Sequence, residues 1–306
     1  MRMLLILSAV ATVFSSCALH PCGTSKETPR RSDYQFIDFK GKSHSYEIAV
    51  TKKPGAPILI THGLGGLNAS TLEWARDLGN RGWKVYLPLL DSDFDMCDLI
   101  KHKSRMRRSG IWNTGALRSS GQVLFDMEAL SDWISARHGD KQIVAVGNCL
   151  TGGVPLALLG RRSVKTAVLC QPALPAKTPI QAIFHLSQSK EKREAFGIPD
   201  HEMNASLRAL SVNPKKHLYG FHYLNDPFAP FDKFVWLHEE LSKRGIAYKF
   251  RPVVLTPARS PITKPWWERM NTTARVGLVK PHPTLSGSDE PDRTRVRTRF
   301  NQLVRP

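Results

Sequence analysis

Apolar and polar residues alternate in two short stretches, "YQFIDF" and "SHSYEIAV", on either side of Gly41. A period of two predicts a pair of antiparallel strands, a hairpin at a sheet edge. The next run, "APILITHG", is apolar without alternation, as a strand buried on both faces requires. "STLEWARDLGNRG" then switches to helical spacing, with Ser70 or Thr71 as N-cap and Gly82 as the stop. From there strands and helices take turns. "WKVYLPLL" predicts a strand, "GQVLFDMEALSDWISARHG" an amphipathic helix, "KQIVAVG" a strand, "LTGGVPLALLG" a helix and "VKTAVLCQP" a strand. The second half continues with "HEMNASLRALS" (helix), "KHLYGFHYL" (strand), "FDKFVWLHEELSKRG" (helix) and "AYKFRPVVL" (strand), and ends on a basic helix, "EPDRTRVRTRFNQLV".

Strand and helix in repeated alternation with short connections mean an α/β fold: a mostly parallel central sheet with helices on both faces. The N-terminal hairpin adds antiparallel edge strands. No fixed-period repeat and no shift in composition divides residues 34–306, which therefore read as one domain. Residues 178–199 and 256–281 interrupt the alternation and are rich in Pro, Trp and Arg. They read as excursions over the top of the sheet, where substrate contacts sit.

Composition adds a compartment and a charge. The first 17 residues, "MRMLLILSAVATVFSSC", place one arginine before an apolar run too short to span a bilayer. This is the pattern of a secretory signal peptide with small residues before its cleavage point. "SSC" also resembles a bacterial lipobox, which would make Cys17 the lipidated N-terminus of an exported, membrane-anchored or periplasmic protein. Phe14 departs from that motif's usual leucine, so ordinary cleavage nearby and a cytoplasmic chain stay open as alternatives. Residues 18–33 read as a polar tether.

The formal net charge of +18 predicts attraction to anionic partners. Its two dense runs are "KHKSRMRR" and "RTRVRTR". Neither is interleaved with aromatics, so nucleic-acid binding is not expected. They read as solvated faces, or as a basic face for anionic lipid headgroups that would add to attachment through a lipid. The five cysteines are too few for a disulfide scaffold at this length. Cys149 is expected to stay free, and Cys170 to be a small buried hydrophobe.

In an open parallel sheet the chemistry lies beyond the carboxyl ends of the strands. Four such ends carry candidates: "THGLGG", "GNCLTGG", "NDPFAP" and "KPHPTLSG". In order they supply backbone donors, a thiol, a carboxylate and an imidazole, the complement of nucleophilic acyl transfer. Cys149 stands at an abrupt strand-to-helix turn, with Gly147 two residues before it and Gly152 and Gly153 just after. Such a turn needs small neighbours, and a helix starting at Leu150 would favour the thiolate. His282, between Pro281 and Pro283, is the candidate base, in preference to His62, His217, His222 and His238. Asp226, ahead of Pro227, is the candidate acid, preferred to Asp232. The amides of Leu64 and Leu150 are the candidate oxyanion donors.

The ordered set resembles the dienelactone hydrolase branch of the α/β-hydrolases, from residue 57 to the C-terminus. "GNCLTGG" is similar to that family's Gly-x-Cys-x-Gly-Gly elbow, "THGLGG" to its oxyanion loop, "NDPFAP" to its acid-bearing strand end and "PHPTLS" to its histidine loop. The resemblance implies an α/β-hydrolase fold in which Cys149 is nucleophile, Asp226 acid and His282 base. It implies hydrolysis of a small carboxylic ester, lactone or thioester with no metal or organic cofactor. Two positions depart from the pattern: Gly63 replaces the family's acidic residue, and Thr151 stands where the family has glycine. They motivate an alternative, a non-catalytic envelope lipoprotein that keeps the fold as a binding module.

Overall fold

The structure is a computed structural model and describes residues 30–96, 99–176, 188–223, 226, 229–255 and 290–306. Eight strands form one sheet: β1 (Tyr34–Lys40), β2 (Ser45–Thr51), β3 (Ala56–Thr61), β4 (Trp83–Pro88), β5 (Ile143–Asn148), β6 (Val164–Cys170), β7 (His217–Tyr223) and β8 (Phe250–Leu255). Their order across the sheet is β1-β2-β4-β3-β5-β6-β7-β8. β1 and β2 pair antiparallel, and so do β2 and β4. Every pairing from β4 to β8 is parallel. The alternating hairpin and the unbroken apolar runs thus occupy the edge and the centre, as their periodicities require.

Each central strand sends alternate residues to opposite faces. Leu59, Ala145, Leu169 and Leu218 join the larger cluster, under the helices α3 (Gln122–Arg137), α4 (Val154–Leu158), α6 (Asp200–Val212) and α7 (Asp232–Lys243). Ile58, Ile60, Val144, Val146 and Val168 face α1 (Ala69–Asn80) and the last helix, α8 (Glu290–Leu303). Trp74 of α1 meets Phe300 of α8 edge to face at 5.2 Å. Arg297 of α8 donates to the Ser70 carbonyl at 2.8 Å and pairs with Glu73, so the basic tail helix is docked on α1. A short helix, α5 (Lys190–Glu194), lies within the segment read as an excursion.

Three details differ from the periodicity-based expectations. The N-cap of α1 is Asn68, whose Oδ1 accepts from the Thr71 amide at 3.0 Å, not Ser70 or Thr71. The run "KHKSRMRR" lies wholly within a helix, α2 (Leu99–Ser109). Its charges obscure an inward face; within the run 101–108, His102 and Met106 are the buried residues. Finally, the helix expected from Leu150 begins at Val154. Residues Cys149–Thr151 form a single 3-10 turn first. Pro155 has no N–H to donate and so sits at the start of α4, where none is needed.

Candidate active site

The strand register assembles the site. Thr61 of β3 lies beside Gly147 of β5, and Asn148 of β5 lies beside Cys170 of β6. Cys170 in turn lies beside Phe221 of β7. The residues that follow these ends therefore emerge side by side. They are the 62–66 loop, Cys149, Gln171 and, a few residues past β7, Asp226.

Cys149 holds φ at +52°, in the left-handed region that a non-glycine residue rarely occupies. The surroundings leave no looser path. A side chain at Gly147 would sit 2.2 Å from the Thr151 carbonyl and 2.6 Å from Pro155. One at Gly152 would meet the Pro172 backbone at 2.6 Å. The Cys149 carbonyl accepts from the amides of Gly152 at 3.0 Å and Ala173 at 2.9 Å, which pins the turn from two sides.

Thr151 explains its own departure from glycine. It is fully buried, and its hydroxyl accepts from the Asn148 amide at 3.0 Å and from the Thr61 hydroxyl at 2.9 Å. It also lies within hydrogen-bond reach of the carbonyls of Thr61 and His62, at 3.2 and 3.1 Å. One hydroxyl thus ties the turn carrying Cys149 to the end of β3.

The backbone amides of Leu64 and Leu150 lie near enough to the Cys149 sulfur to favour its thiolate. Gly63 is close-packed behind it: an added Cβ would stand 3.0 Å from that of Cys149. A side chain at position 63 would require Cys149 and Asn148 to give by a few tenths of an ångström, which glycine avoids. Burial pushes the thiol up to about 11, the nearby Asp226 carboxylate pushes the same way, and the two amides pull against both. The expectation that a helix end favours the thiolate is therefore corrected. The α4 N-terminus lies five residues on, and desolvation with a like charge outweighs the amides.

Asp226 accepts from Gln171 Nε2 at 2.6 Å and from the Ala229 amide at 3.1 Å. Gln171 itself sits at φ +49° directly after β6. It was missed as a site residue, although the rule of strand carboxyl ends would have found it. His282 and Cys17 lie outside the described residues, as do Cys22 and Cys97. Cys149 and Cys170 are free thiols, the latter buried.

His62 is buried and serves the loop. Its Nδ1 donates to the Gly63 carbonyl at 3.0 Å, and its Nε2 accepts from the Leu90 amide at 3.1 Å. Its pKa is pushed down to about 3 by burial and by neighbouring His102, so the ring is neutral. Leu150, next to Cys149 in the chain, forms an apolar cluster with Leu174 and Met106 of α2, and Leu64, Trp112 and Ala176 pack against it. Among the described residues, no group of three or more His, Cys, Asp or Glu side chains could hold a metal ion.

No family model and no curated protein matches this chain. Solved structures do match. A protein assigned as a dienelactone hydrolase from Klebsiella pneumoniae subsp. pneumoniae superposes with a TM-score of 0.52 at 13% identity, over 88% of this chain and 96% of that one. A dienelactone hydrolase-like promiscuous phosphotriesterase from metagenomic libraries gives 0.52 at 14% identity, over 88% and 96%. An esterase from Pyrococcus furiosus gives 0.50 at 11% identity, over 92% and 98%. The fold is that of the α/β-hydrolases, and its structural neighbours include dienelactone hydrolase-like proteins.

Proposed function

We propose that this protein hydrolyses a small carboxylic ester, lactone or thioester through an acyl-cysteine intermediate, with Cys149 as nucleophile, His282 as base and Asp226 as acid. The observation that carries the reading is the convergence of the Leu64 and Leu150 amides on the sulfur of a residue held at strained φ. Two donors that meet at a nucleophile are placed to hold the oxygen that becomes negative when it attacks a carbonyl. The order of thiol, carboxylate and imidazole along the chain supports His282 as the third member.

The chemistry follows from the raised thiol. At neutral pH the resting sulfur keeps its proton, so a base must take it as attack proceeds. The S–C bond forms while the carbonyl π pair moves to oxygen and rests on the two amides. Collapse expels the alcohol or thiol, which receives the proton from the imidazolium. Water, deprotonated by the same imidazole, then attacks the thioester and returns the thiol. Asp226 holds the imidazole and balances its charge. The apolar cluster that Leu150 forms with Leu174 and Met106 supports a short apolar acyl group over a charged one.

The high thiol pKa favours a second reading, a binding module with an inert cysteine. The sequence features at the N-terminus support export of either, with lipidation at Cys17. Hydrolysis of p-nitrophenyl acetate and butyrate by the wild-type protein, Cys149→Ala and His282→Ala separates the two. The enzyme reading predicts turnover that both variants lose almost entirely. Equal rates in all three proteins would overturn it.

A further inference from the structure

The Leu64 amide belongs to a loop of five residues with three glycines, at positions 63, 65 and 66. The loop has one hydrogen bond of its own, from the Gly66 amide to the Gly63 carbonyl at 3.0 Å, which leaves the Leu64 carbonyl untied. Two buried imidazoles add to it. His62 donates to the carbonyl of Gly63, which shares its peptide plane with the Leu64 N–H. His102, on α2, places Nδ1 2.5 Å from the carbonyl of Leu64, the next peptide along. Both peptides flanking Leu64 are therefore gripped, and with them its φ and ψ.

The far ends of the two rings meet at one residue. The Leu90 amide donates to His62 Nε2 at 3.1 Å, and the Leu90 carbonyl lies 3.0 Å from His102 Nε2. Ser92 Oγ adds a contact to His62 Nε2 at 3.2 Å. The rings sit 5.3 Å apart, and both histidines are buried. Leu90, just past β4, is thus the anchor to which the oxyanion loop is tied twice.

We propose that His102 is a positioning residue for the oxyanion hole, holding the Leu64 amide toward the reacting carbonyl oxygen by clamping the Leu64 carbonyl to Leu90. It touches no substrate. The proposal rests on the assignment of Cys149 as nucleophile and of the Leu64 amide as oxyanion donor, and goes beyond it by giving α2 a role in the reaction.

The test separates thiol reactivity from oxyanion stabilisation without needing the natural substrate. Iodoacetamide alkylates Cys149 with no oxyanion formed. A small aldehyde such as butyraldehyde instead adds to the thiol. The S–C bond forms, the carbonyl π pair moves to oxygen between the amides, and the thiol proton is given up to base. Its dissociation constant is read from the protection it gives against alkylation, at one fixed pH. In His102→Asn the amide nitrogen replaces Nδ1 and keeps the bond to Leu64. In His102→Gln it replaces Nε2 and keeps only the bond to Leu90.

We expect His102→Gln and His102→Leu to bind the aldehyde on the order of 10-fold or more weaker, as a misplaced oxyanion donor should. Alkylation without aldehyde should slow by less than the aldehyde affinity falls, since the Leu64 amide also favours the thiolate, and His102→Asn should stay near wild type in both, since rescue follows the retained Leu64 bond. Where His102→Leu fails to fold, the contrast between Asn and Gln decides. Equal aldehyde affinity in all variants, or tighter binding by Gln than by Asn, overturns the role of His102 and leaves the nucleophile untouched. A wild-type Cys149 that the aldehyde never protects overturns the nucleophile assignment and this proposal with it.

Discussion

Replacing Thr151 by valine keeps the shape of a fully buried side chain and deletes one hydroxyl, so its cost can be worked from the bonds lost. The Asn148 amide, 3.0 Å from that hydroxyl, loses its acceptor in a buried turn. An orphaned buried donor costs about 1–3 kcal/mol. The hydroxyl's own proton, shared among the carbonyls of Thr61, His62 and Asn148, contributes about 1 kcal/mol more. Thr61 does not add to the loss, because its hydroxyl still reaches the Val146 carbonyl at 3.1 Å. Thr151→Val should therefore destabilise by about 2–4 kcal/mol, and at this chain length lower the melting temperature by roughly 3–6 °C. Thr151→Ser keeps the hydroxyl and loses one methyl, for about 1 kcal/mol. Urea unfolding followed by circular dichroism, at unchanged m-value, gives the order wild type, Ser, Val. A Val variant as stable as wild type, or more stable than Ser, would refute the tie between the elbow and β3.

Gly63→Ala should lower ester turnover at least tenfold, because its Cβ would press on Cys149 at 3.0 Å and Asn148 at 3.3 Å. Gly65→Ala, which meets only Asn68 at 3.7 Å, should change it little. Equal effects of the two would contradict the close packing behind the nucleophile. In His282→Ala, with no base to take the proton, alkylation of Cys149 should climb about tenfold per pH unit and level off near pH 11. A plateau below pH 9 would show that the thiol is not raised. His62 is held at about 3, below the usual 6.5 of the unfolded chain, so the folded state resists its protonation. Its contribution is complete above pH 6.5 and is lost at about 1 kcal/mol per unit as pH falls toward 3. Glu128, raised to about 7 mainly by burial, titrates with the opposite sign between 7 and 4.5, so the difference between wild type and His62→Leu is the quantity to follow. That stability gap should narrow steadily from pH 6.5 to pH 4.5, and a constant gap would count against a neutral buried His62.

Much of this arrangement was legible in the chain because the physics that sets it is local. Strand burial writes itself as unbroken or alternating apolar runs, so β1 through β8 and their layers followed from period alone. The turn at Cys149 was visible because close strand–helix approach demands glycine at positions 147 and 152. What was not legible depends on partners distant in sequence. The charges on α2 hid the burial of His102 and Met106, and nothing near His102 says that its ring will meet Leu64 and Leu90. Thr151 looked like a lapse from a glycine pattern until β3 supplied its partners. The thiol was expected to be acidic from the helix after it. Instead Pro155 delays that helix, and burial beside Asp226 dominates.

The central claim is that acyl transfer passes through Cys149. Rapid-quench intact-mass measurement during turnover of p-nitrophenyl butyrate tests it directly. The account predicts one added butyryl group, mapped by peptide digestion to Cys149, formed and lost at rates consistent with turnover and absent from Cys149→Ala. Turnover with Cys149 unmodified, or with the acyl group on another residue, would contradict it.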